Sequence, residues 1–273
     1  MIFTAYLDES NTDGPRPDMT MGGFVGSGRQ WELLERRLRR LQRRDHFGVF
    51  HASDFKARKN DFHGWSDEKC SQLIGDFAVA VRDELTEGVT VSLSYRQYRE
   101  EYKDLPFPKG MRQLSQFGLC FQTSLNYLIQ TVLKINGKHR LHIVVEDGHP
   151  NVGAASAIFS DAKKSLKRNG IDVLGTVTRA LKSECEPLMI ADFQAHLGGL
   201  NDIRTRAGLP SYAQMTNKAP RSNEAGITFL HWELGALQRL KDNFARERDA
   251  FHAEAEAAHF KRKAAWLASK ATG

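Results

Sequence analysis

The hydrophobic and polar positions of the chain follow two different periods, and these periods predict its elements. Strands and helices alternate along the sequence, which predicts an α/β fold. The first two strands flank a polar, proline-containing stretch and predict a hairpin. Short apolar runs with strand character occupy residues 2–7, 19–25, 89–95, 141–145 and 171–178. Apolar side chains at intervals of three and four predict helices over residues 31–44, 67–87, 114–135, 151–168 and 187–197.

The pattern changes after residue 200. Residues 201–222 are rich in Gly, Asn, Pro, Arg and Thr without periodicity, which indicates a linker or surface loop. Apolar positions then recur through an alanine-rich stretch and predict a long helical extension over residues 223–273. Two arrangements stay open for it: a hairpin folded back along the core, or an arm that pairs with a second subunit in a homodimer. The expected domains are a core over 1–200, the linker, and this C-terminal helical arm.

Composition and charge leave the choice of partner open. Lys and Arg number 39 and Asp and Glu 33, so the net charge is +6, and the proportions are those of a folded protein rather than a disordered one. The basic excess is densest on the helix over 31–44, where Arg36, Arg37, Arg40 and Arg44 are candidate contacts to a nucleic acid. The alternative is an ordinary solvated helix face.

Other sequence features exclude several classes of protein. Cys70, Cys120 and Cys185 are too far apart for a disulfide framework or a thiolate zinc site, and we expect reduced thiols in a cytoplasmic protein. The chain has no apolar window near the roughly 20 residues that cross a bilayer, so we expect no membrane partner. Walker, dinucleotide-binding and Gly-x-Ser-x-Gly motifs are absent from the sequence. The glycine-rich segment over residues 22–28, which lacks the lysine and spacing of a phosphate-binding loop, is interpreted as a strand end and turn.

The positions of a few acids carry the functional signal. Asp8 and Glu9 close the first strand, Glu146 and Asp147 close a later one, and Asp192 interrupts an apolar helix. A lone buried carboxylate costs several kcal/mol unless it pairs with a cation or a metal. Asp192 is therefore expected either in an ion pair within the core or at a metal site.

Acids on two neighbouring strands and on a helix packed over the same sheet can converge. Their mutual repulsion disappears when a divalent cation binds, and carboxylate oxygens suit Mg²⁺ or Mn²⁺. Two such ions can activate water and stabilise the leaving oxygen of a phosphodiester. Because side chains alternate along a strand, Asp8 is preferred over Glu9, and Glu146 over Asp147, although the alternation can fail where strands end.

These motifs resemble a bacterial family called domain of unknown function 3800, over about residues 1–197. The resemblance implies a ribonuclease-H-like mixed sheet flanked by helices, with Asp8, Glu146 or Asp147, and Asp192 as metal ligands. Asn11 and Met189 depart from its usual pattern, but neither change removes a carboxylate. The resemblance is carried by Tyr6-Leu-Asp8-Glu9-Ser10, Phe50-His51-Ala-Ser-Asp54, the acids after Ile143-Val-Val145, and Lys182-Ser183 followed by Leu188-Met-Ile-Ala-Asp192-Phe193.

Four further residues are candidate accessories. His51 and Asp54 offer a ligand or proton shuttle, or only a local hydrogen-bonded turn. His196 follows Asp192 by four residues and shares its helical face, where it would orient the carboxylate or a water, or serve only the structure. Lys182 is a candidate phosphate contact, against the default of a surface lysine.

The sequence thus predicts a metal-dependent nuclease that hydrolyses DNA or RNA with two Mg²⁺ or Mn²⁺ ions. Asp8, Glu146 and Asp192 bind the ions, and Glu9 or Asp147 completes the shell. The competing hypothesis is a non-catalytic module that binds nucleic acid or protein through the basic helix and the C-terminal arm. A third is hydrolysis of a small phosphoester, for which we expect an enclosed pocket.

Overall fold

A computed structural model describes residues 1–10, 18–103, 113–206 and 226–231, together with Arg246. Over residues 201–206 and along 226–231, apart from Leu230, it describes the backbone alone. The chain divides into two compact units. The first comprises Met1–Tyr95 and Leu114–His231, and the second Arg96–Gln113 and Trp232–Gly273. All the candidate site residues lie in the first unit.

The first unit is built on a six-stranded mixed sheet in the order β5-β4-β1-β2-β3-β6. Strand β2 is antiparallel to both β1 and β3, whereas β4 is parallel to β1, β5 to β4 and β6 to β3. The α/β class and the hairpin are confirmed. The strands are β1 (Ile2–Ser10), β2 (Met19–Ser27), β3 (Glu87–Leu93), β4 (Arg140–Glu146), β5 (Leu174–Ala180) and β6 (Gly226–His231).

Helices of the first unit flank this sheet, and side-chain caps fix where three of them begin. Ser27 and Gln30 form a capping box at the start of α1, and the hydroxyls of Ser66 and Ser115 accept backbone N–H bonds at the starts of α3 and α5. A 3-10 turn at Asn60–Phe62 and a π-helical turn at Arg99–Lys103 are the short elements. The helices are α1 (Gly28–Asp45), α2 (Ala52–Ala57), α3 (Asp67–Glu84), α4 (Tyr95–Tyr98), α5 (Gln116–Ile135), α6 (Gly153–Arg168) and α7 (Pro187–Arg206).

An aromatic cluster fixes α7 against α3. The ring of Phe77 lies 5.1 Å from that of Phe50 and 5.4 Å from that of Phe193, centroid to centroid. All three side chains are buried, and burying each contributes about 1.5–3 kcal/mol. The apolar stripe of α5 is likewise buried, which confirms the prediction of a long buried helix. These packed helices give the site a rigid support.

Two glycine-based predictions are wrong for one physical reason. No turn lies within the segment over residues 22–28, because β2 runs to Ser27 and α1 begins at Gly28, and α7 continues through Gly198 instead of ending there. A Cβ at Gly22 would collide with the backbone of Ala195, and one at Gly198 with the methyl group of Thr90. The glycines therefore permit α7 to lie directly on β2 and β3.

The end of the chain differs from its prediction where it is described. The helix α7 runs to Arg206, past the expected start of the linker at 201. Residues Gly226–His231 form a strand beside β3, where a helix was predicted. Residues 207–225, 232–245 and 247–273, and with them most of the expected arm and its pairing in a homodimer, lie outside the described residues. Within the described part of the chain, no helix combines the length and hydrophobicity needed to span a bilayer.

Candidate metal centre

The acids Asp8 and Glu9 lie inside β1, near its end, and not beyond it. Antiparallel pairing with β2 continues through Ser10, and Asp8 is the cross-strand partner of Gly22. Parallel pairing with β4 stops at Leu7, opposite Val145. Asp8 is only 1% exposed, and its Oδ1 accepts a 2.8 Å hydrogen bond from the Glu9 backbone N–H. The carboxylate of Asp8 is therefore buried, one residue after the last pair between β1 and β4.

Glu146 is the last residue of β4 and follows directly after the final β1–β4 pair. Asp8, Glu9 and Glu146 each offer a carboxylate oxygen, and these atoms lie within 4.8 Å of one another. The expected alternation therefore does not separate Asp8 from Glu9, because both side chains reach one place at the strand end. Glu9 Oε2 is buried without a hydrogen-bond partner among the described residues. We call Asp8, Glu9 and Glu146 the carboxylate cluster.

Lys182 lies against this cluster, in the turn between β5 and α7. Its Nζ is 2.8 Å from Asp8 Oδ2 and 3.1 Å from Asp192 Oδ2. The ammonium group thus bridges the first strand and α7. Sequence reasoning offered Lys182 as a phosphate contact and missed this bridge, because the turn that folds it inward has no marker in the hydrophobic pattern.

Asp192 is buried on α7 and reaches the cluster from the helix side. Besides Lys182, its Oδ2 accepts a 3.0 Å hydrogen bond from the backbone N–H of Ala52, at the start of α2. The expectation that this buried acid pairs with a cation is confirmed, with Lys182 as that cation. The sequence also did not identify the Ala52 N–H as a partner of Asp192, because a backbone donor can come from almost any residue type.

Burial and like charge raise the affinity of the cluster for protons. Burial, with the charges of Asp192 and Glu9, raises the pKa of Asp8 well above its usual value against the opposing effect of Lys182. Burial and the charge of Glu146 raise the pKa of Glu9 to about 7. Burial opposes the charge on Lys182, but Asp8 and Asp192 outweigh it and raise the pKa of its ammonium group. One lysine thus offsets only part of the negative charge gathered here.

Three other predicted residues do not join the carboxylate cluster. Asp147 is exposed and lies 3.5 Å from Arg179 on β5. Asp54 accepts a 2.8 Å hydrogen bond from Asn60, in agreement with the local hydrogen-bonded turn left open for it. His51 is the N-terminal capping position of α2 and directly precedes Ala52, so it adjoins Asp192 through the backbone.

His196 lies one turn beyond Asp192 and lines a cavity instead of the cluster. Burial and the nearby charge of Lys56 lower its pKa, against a weaker opposing effect of Asp192. The cavity lies between α2, α3 and α7 and has a volume of about 330 Å³. Its walls are mostly apolar. The lining also includes Phe55, Cys70, Ile74, Phe193, Leu197 and Leu200.

Ion pairs within the protein neutralise part of the positive charge of the basic helix α1. Arg37 pairs with Asp83 at 3.0 Å and Glu84 at 2.8 Å, and Arg44 pairs with Asp45 at 2.6 Å and Asp76 at 2.7 Å. Arg36 and Arg40 are exposed. Arg36 lies 3.9 Å from Glu32 one turn earlier, and Arg40 donates to the Arg36 carbonyl oxygen. Arg44 is exposed as well, but two close ion pairs hold its guanidinium group, so Arg36 and Arg40 are the candidates that lack a close ion pair among the described residues.

The described geometry therefore gives a carboxylate cluster of Asp8, Glu9 and Glu146 that is suited to a hard divalent cation, with Asp192 linked to it through Lys182. Comparison of the chain with models of known protein families and with curated proteins gives no match.

Proposed function

We propose that the protein is a divalent-metal-dependent phosphodiesterase that cleaves nucleic acid. The observation that carries this proposal is the convergence of Asp8, Glu9 and Glu146 within 4.8 Å at the end of two parallel strands. Three carboxylates in that space repel one another strongly unless a cation or protons intervene. This repulsion destabilises the fold. Ionisable groups whose pKa values are strongly shifted by burial and by neighbouring charges are typical of functional sites.

The donor set fits Mg²⁺ or Mn²⁺. Every donor is a carboxylate oxygen, and Glu9 Oε2 is buried without a partner among the described residues. Asp8, Glu9 and Glu146 would hold the metal, and Asp192 would complete the site from α7. When bound, a pair of such ions supplies the charge that activates water and stabilises a leaving oxygen.

The side chains of the cluster have distinct tasks in this proposal. Asp8 is anchored by the Glu9 N–H and by Lys182, so it is the fixed ligand. Glu9 and Glu146 lie beside Asp8, and Glu9 Oε2, buried without a hydrogen-bond partner among the described residues, would bind the ion. Asp192, held by the Ala52 N–H, would add a further carboxylate to the site from α7.

The fold and the resemblance support the same proposal. The mixed sheet, with an antiparallel β1-β2-β3 part and parallel β4 and β5, agrees with the ribonuclease-H-like fold that the resemblance to domain of unknown function 3800 implies. The acids occupy β1, β4 and α7 of that arrangement. This order agrees with the ligand order that the resemblance implies.

One observation favours the second candidate, a non-catalytic module that binds nucleic acid or protein. Lys182 bridges Asp8 and Asp192, and an ion pair of this kind holds two elements together without a metal. In that case binding would depend on the exposed arginines of α1 and would be sensitive to salt, but not to metal or to Asp8.

The full chain should be assayed with labelled single- and double-stranded DNA and RNA, and with bis(p-nitrophenyl) phosphate as a small substrate. We expect cleavage with Mg²⁺ or Mn²⁺, none with EDTA, and loss of cleavage in Asp8→Asn and Asp192→Asn at unchanged fold by circular dichroism. Asp161→Asn, at an exposed position on α6, is the matched control. Cleavage that survives both site substitutions would overturn the assignment. Turnover of the small substrate alone would favour a small phosphoester as the natural target.

A further inference from the structure

We infer that Lys182 is a resident cation that holds Asp8 and Asp192 together while no divalent ion is bound, and that a divalent ion displaces its ammonium group. This inference rests on the proposed function, because it concerns the same site. It adds a positioning role that the sequence did not indicate: the protein keeps its ligands assembled before the metal arrives.

The contacts of Lys182 identify the oxygens for which the two cations compete. Its Nζ lies 2.8 Å from Oδ2 of Asp8 and 3.1 Å from Oδ2 of Asp192. The lysine side chain is only 11% exposed, so this is a buried bridge and not a surface pair. An ammonium group and a divalent ion cannot both occupy the space between these oxygens, and their like charges repel at such distances.

Burial explains why a resident cation is needed. Asp8 and Asp192 are 1% and 6% exposed, on a strand and a helix that hydrophobic packing holds together. Without a counter-ion, the two acids would repel each other or take up protons, and either outcome destabilises the metal-free protein. The ammonium group offsets this repulsion and holds both carboxylates close to each other.

The position of Lys182 also permits its release. It lies in a three-residue turn between β5 and α7, and the turn is closed by a 3.0 Å hydrogen bond from the Glu184 N–H to the Leu181 carbonyl oxygen. That backbone hydrogen bond does not involve the Lys182 side chain, so a change of its rotamer leaves the bond in place. Asp192 keeps its Ala52 N–H bond, and Asp8 keeps the Glu9 N–H bond, when the ammonium group leaves.

Competition has a measurable consequence for metal affinity. A metal ion that uses the Oδ2 atoms of Asp8 and Asp192 must expel the ammonium group, so the lysine lowers the apparent affinity. Removal of its charge in Lys182→Gln should raise Mn²⁺ affinity about tenfold or more. Lys182→Arg keeps a cation between the acids and should give no such rise. If Lys182 only stabilised the fold, Lys182→Gln would not bind Mn²⁺ more tightly than the wild type and Lys182→Arg.

The first experiment is titration calorimetry of the full chain with Mn²⁺ for the wild type, Lys182→Gln and Lys182→Arg. The matched control is Lys163→Gln, since Lys163 Nζ donates to the Gly175 carbonyl oxygen on β5 instead of to the cluster. The second experiment uses the wild type alone, so it does not depend on the folding of a variant. Lysine reductive methylation, followed by mass spectrometry, should label Lys182 slowly in EDTA and faster in Mg²⁺, with Lys163 unchanged.

The outcomes separate this inference from the proposed function. Mn²⁺ binding to the wild type with equal Lys182 labelling in EDTA and Mg²⁺ would overturn the displacement and leave the metal site standing. An unchanged Mn²⁺ affinity in a folded Lys182→Gln variant would do the same. Absence of Mn²⁺ binding by every protein in the series would overturn both. Faster labelling with metal, together with tighter binding by Lys182→Gln, supports the resident cation.

Discussion

Gly22 of β2 lies directly beneath Ala195 of α7: a Cβ at position 22 would stand 2.6 Å from the Ala195 Cα. Gly22 is also the cross-strand partner of Asp8. The bare backbone at position 22 therefore lets the helix that carries Asp192 approach the strand that carries Asp8. The distance between the two acids, each in contact with Lys182, depends on this missing side chain.

Gly22→Ala should destabilise the fold and disturb the site together. The new methyl group would overlap the backbone of Ala195, which a rotamer change cannot relieve. Overpacking of this kind costs about 1–3 kcal/mol. We expect a loss of that size in the free energy of unfolding by urea denaturation, with weaker Mn²⁺ binding because α7 is pushed away from β2.

Gly75→Ala is the control for the glycine substitution. Gly75 lies in the interior of α3 with open space around its Cβ position, so alanine should stabilise the protein by about 0.5–1 kcal/mol. If Gly22→Ala proved as stable as Gly75→Ala, the close contact between β2 and α7 would be contradicted.

Glu146→Gln and Asp147→Asn should separate the two adjacent acids at the end of β4. Glu146 contributes an oxygen to the carboxylate cluster, whereas Asp147 points to Arg179. We expect Glu146→Gln to weaken Mn²⁺ binding at least tenfold in titration calorimetry, because a carboxylate ligand is lost. Asp147→Asn should change the affinity less than twofold, since this exposed pair adds little. Equal effects of the two substitutions would argue against Glu146 as the ligand.

The hydrophobic pattern predicted most of the first unit because its elements bury regular apolar faces. The stripe of α5 and the hairpin of β1 and β2 follow from periodicity alone. The wrong predictions concern Gly22 and Gly198, where glycine serves close packing between distant elements. The strand Gly226–His231 was missed because its place beside β3 depends on pairing with a partner far away in sequence.

The site was predicted in part for a related reason. An acid within or at the end of an apolar segment is visible in a sequence, and a buried carboxylate needs a partner. Asp8, Glu146 and Asp192 were selected as candidates for this reason. Which of two adjacent acids faces inward depends on how the strand ends. The sequence also could not show that Lys182 fills the space between Asp8 and Asp192, because that contact depends on a turn and two elements far apart in the chain.

Glu9 should make the metal-free protein less stable as the pH rises towards neutrality. Its pKa is about 7 in the folded protein against an ordinary 4.5, so between these values the folded state binds more protons than the unfolded state. The free energy of unfolding therefore falls as the pH rises. This contribution is fully present below about pH 4.5 and lost above about pH 7.

The measurement is urea unfolding in EDTA across that pH range, for the wild type and Glu9→Gln. We expect a flatter profile for Glu9→Gln, because glutamine has no proton to lose and because loss of the Glu9 charge removes one cause of the raised pKa of Asp8. Mn²⁺ at saturating concentration should also flatten the wild-type profile, since the metal takes the place of the proton. Parallel profiles for the two proteins in EDTA would contradict the raised pKa of Glu9.

The arginines of α1 should divide into a pair that binds nucleic acid and a pair that stabilises the fold. Arg36 and Arg40 are exposed, and within the described residues their one ion pair joins Arg36 to Glu32 at 3.9 Å, an exposed contact that contributes little to stability. We expect the double substitution Arg36→Ala and Arg40→Ala to weaken oligonucleotide binding. In fluorescence anisotropy, the slope of log K against log salt should fall by about two, one for each lost phosphate contact.

Arg44→Ala should behave in the opposite way. Arg44 contacts Asp45, whose side chain is only 11% exposed, as well as Asp76 on α3. Removal of the guanidinium group leaves a nearly buried carboxylate without that partner, so we expect a loss of about 1–3 kcal/mol in the free energy of unfolding. The salt slope of oligonucleotide binding should stay close to that of the wild type. A fall in the slope for Arg44→Ala, with none for the double variant, would place the nucleic acid on a different face of the protein.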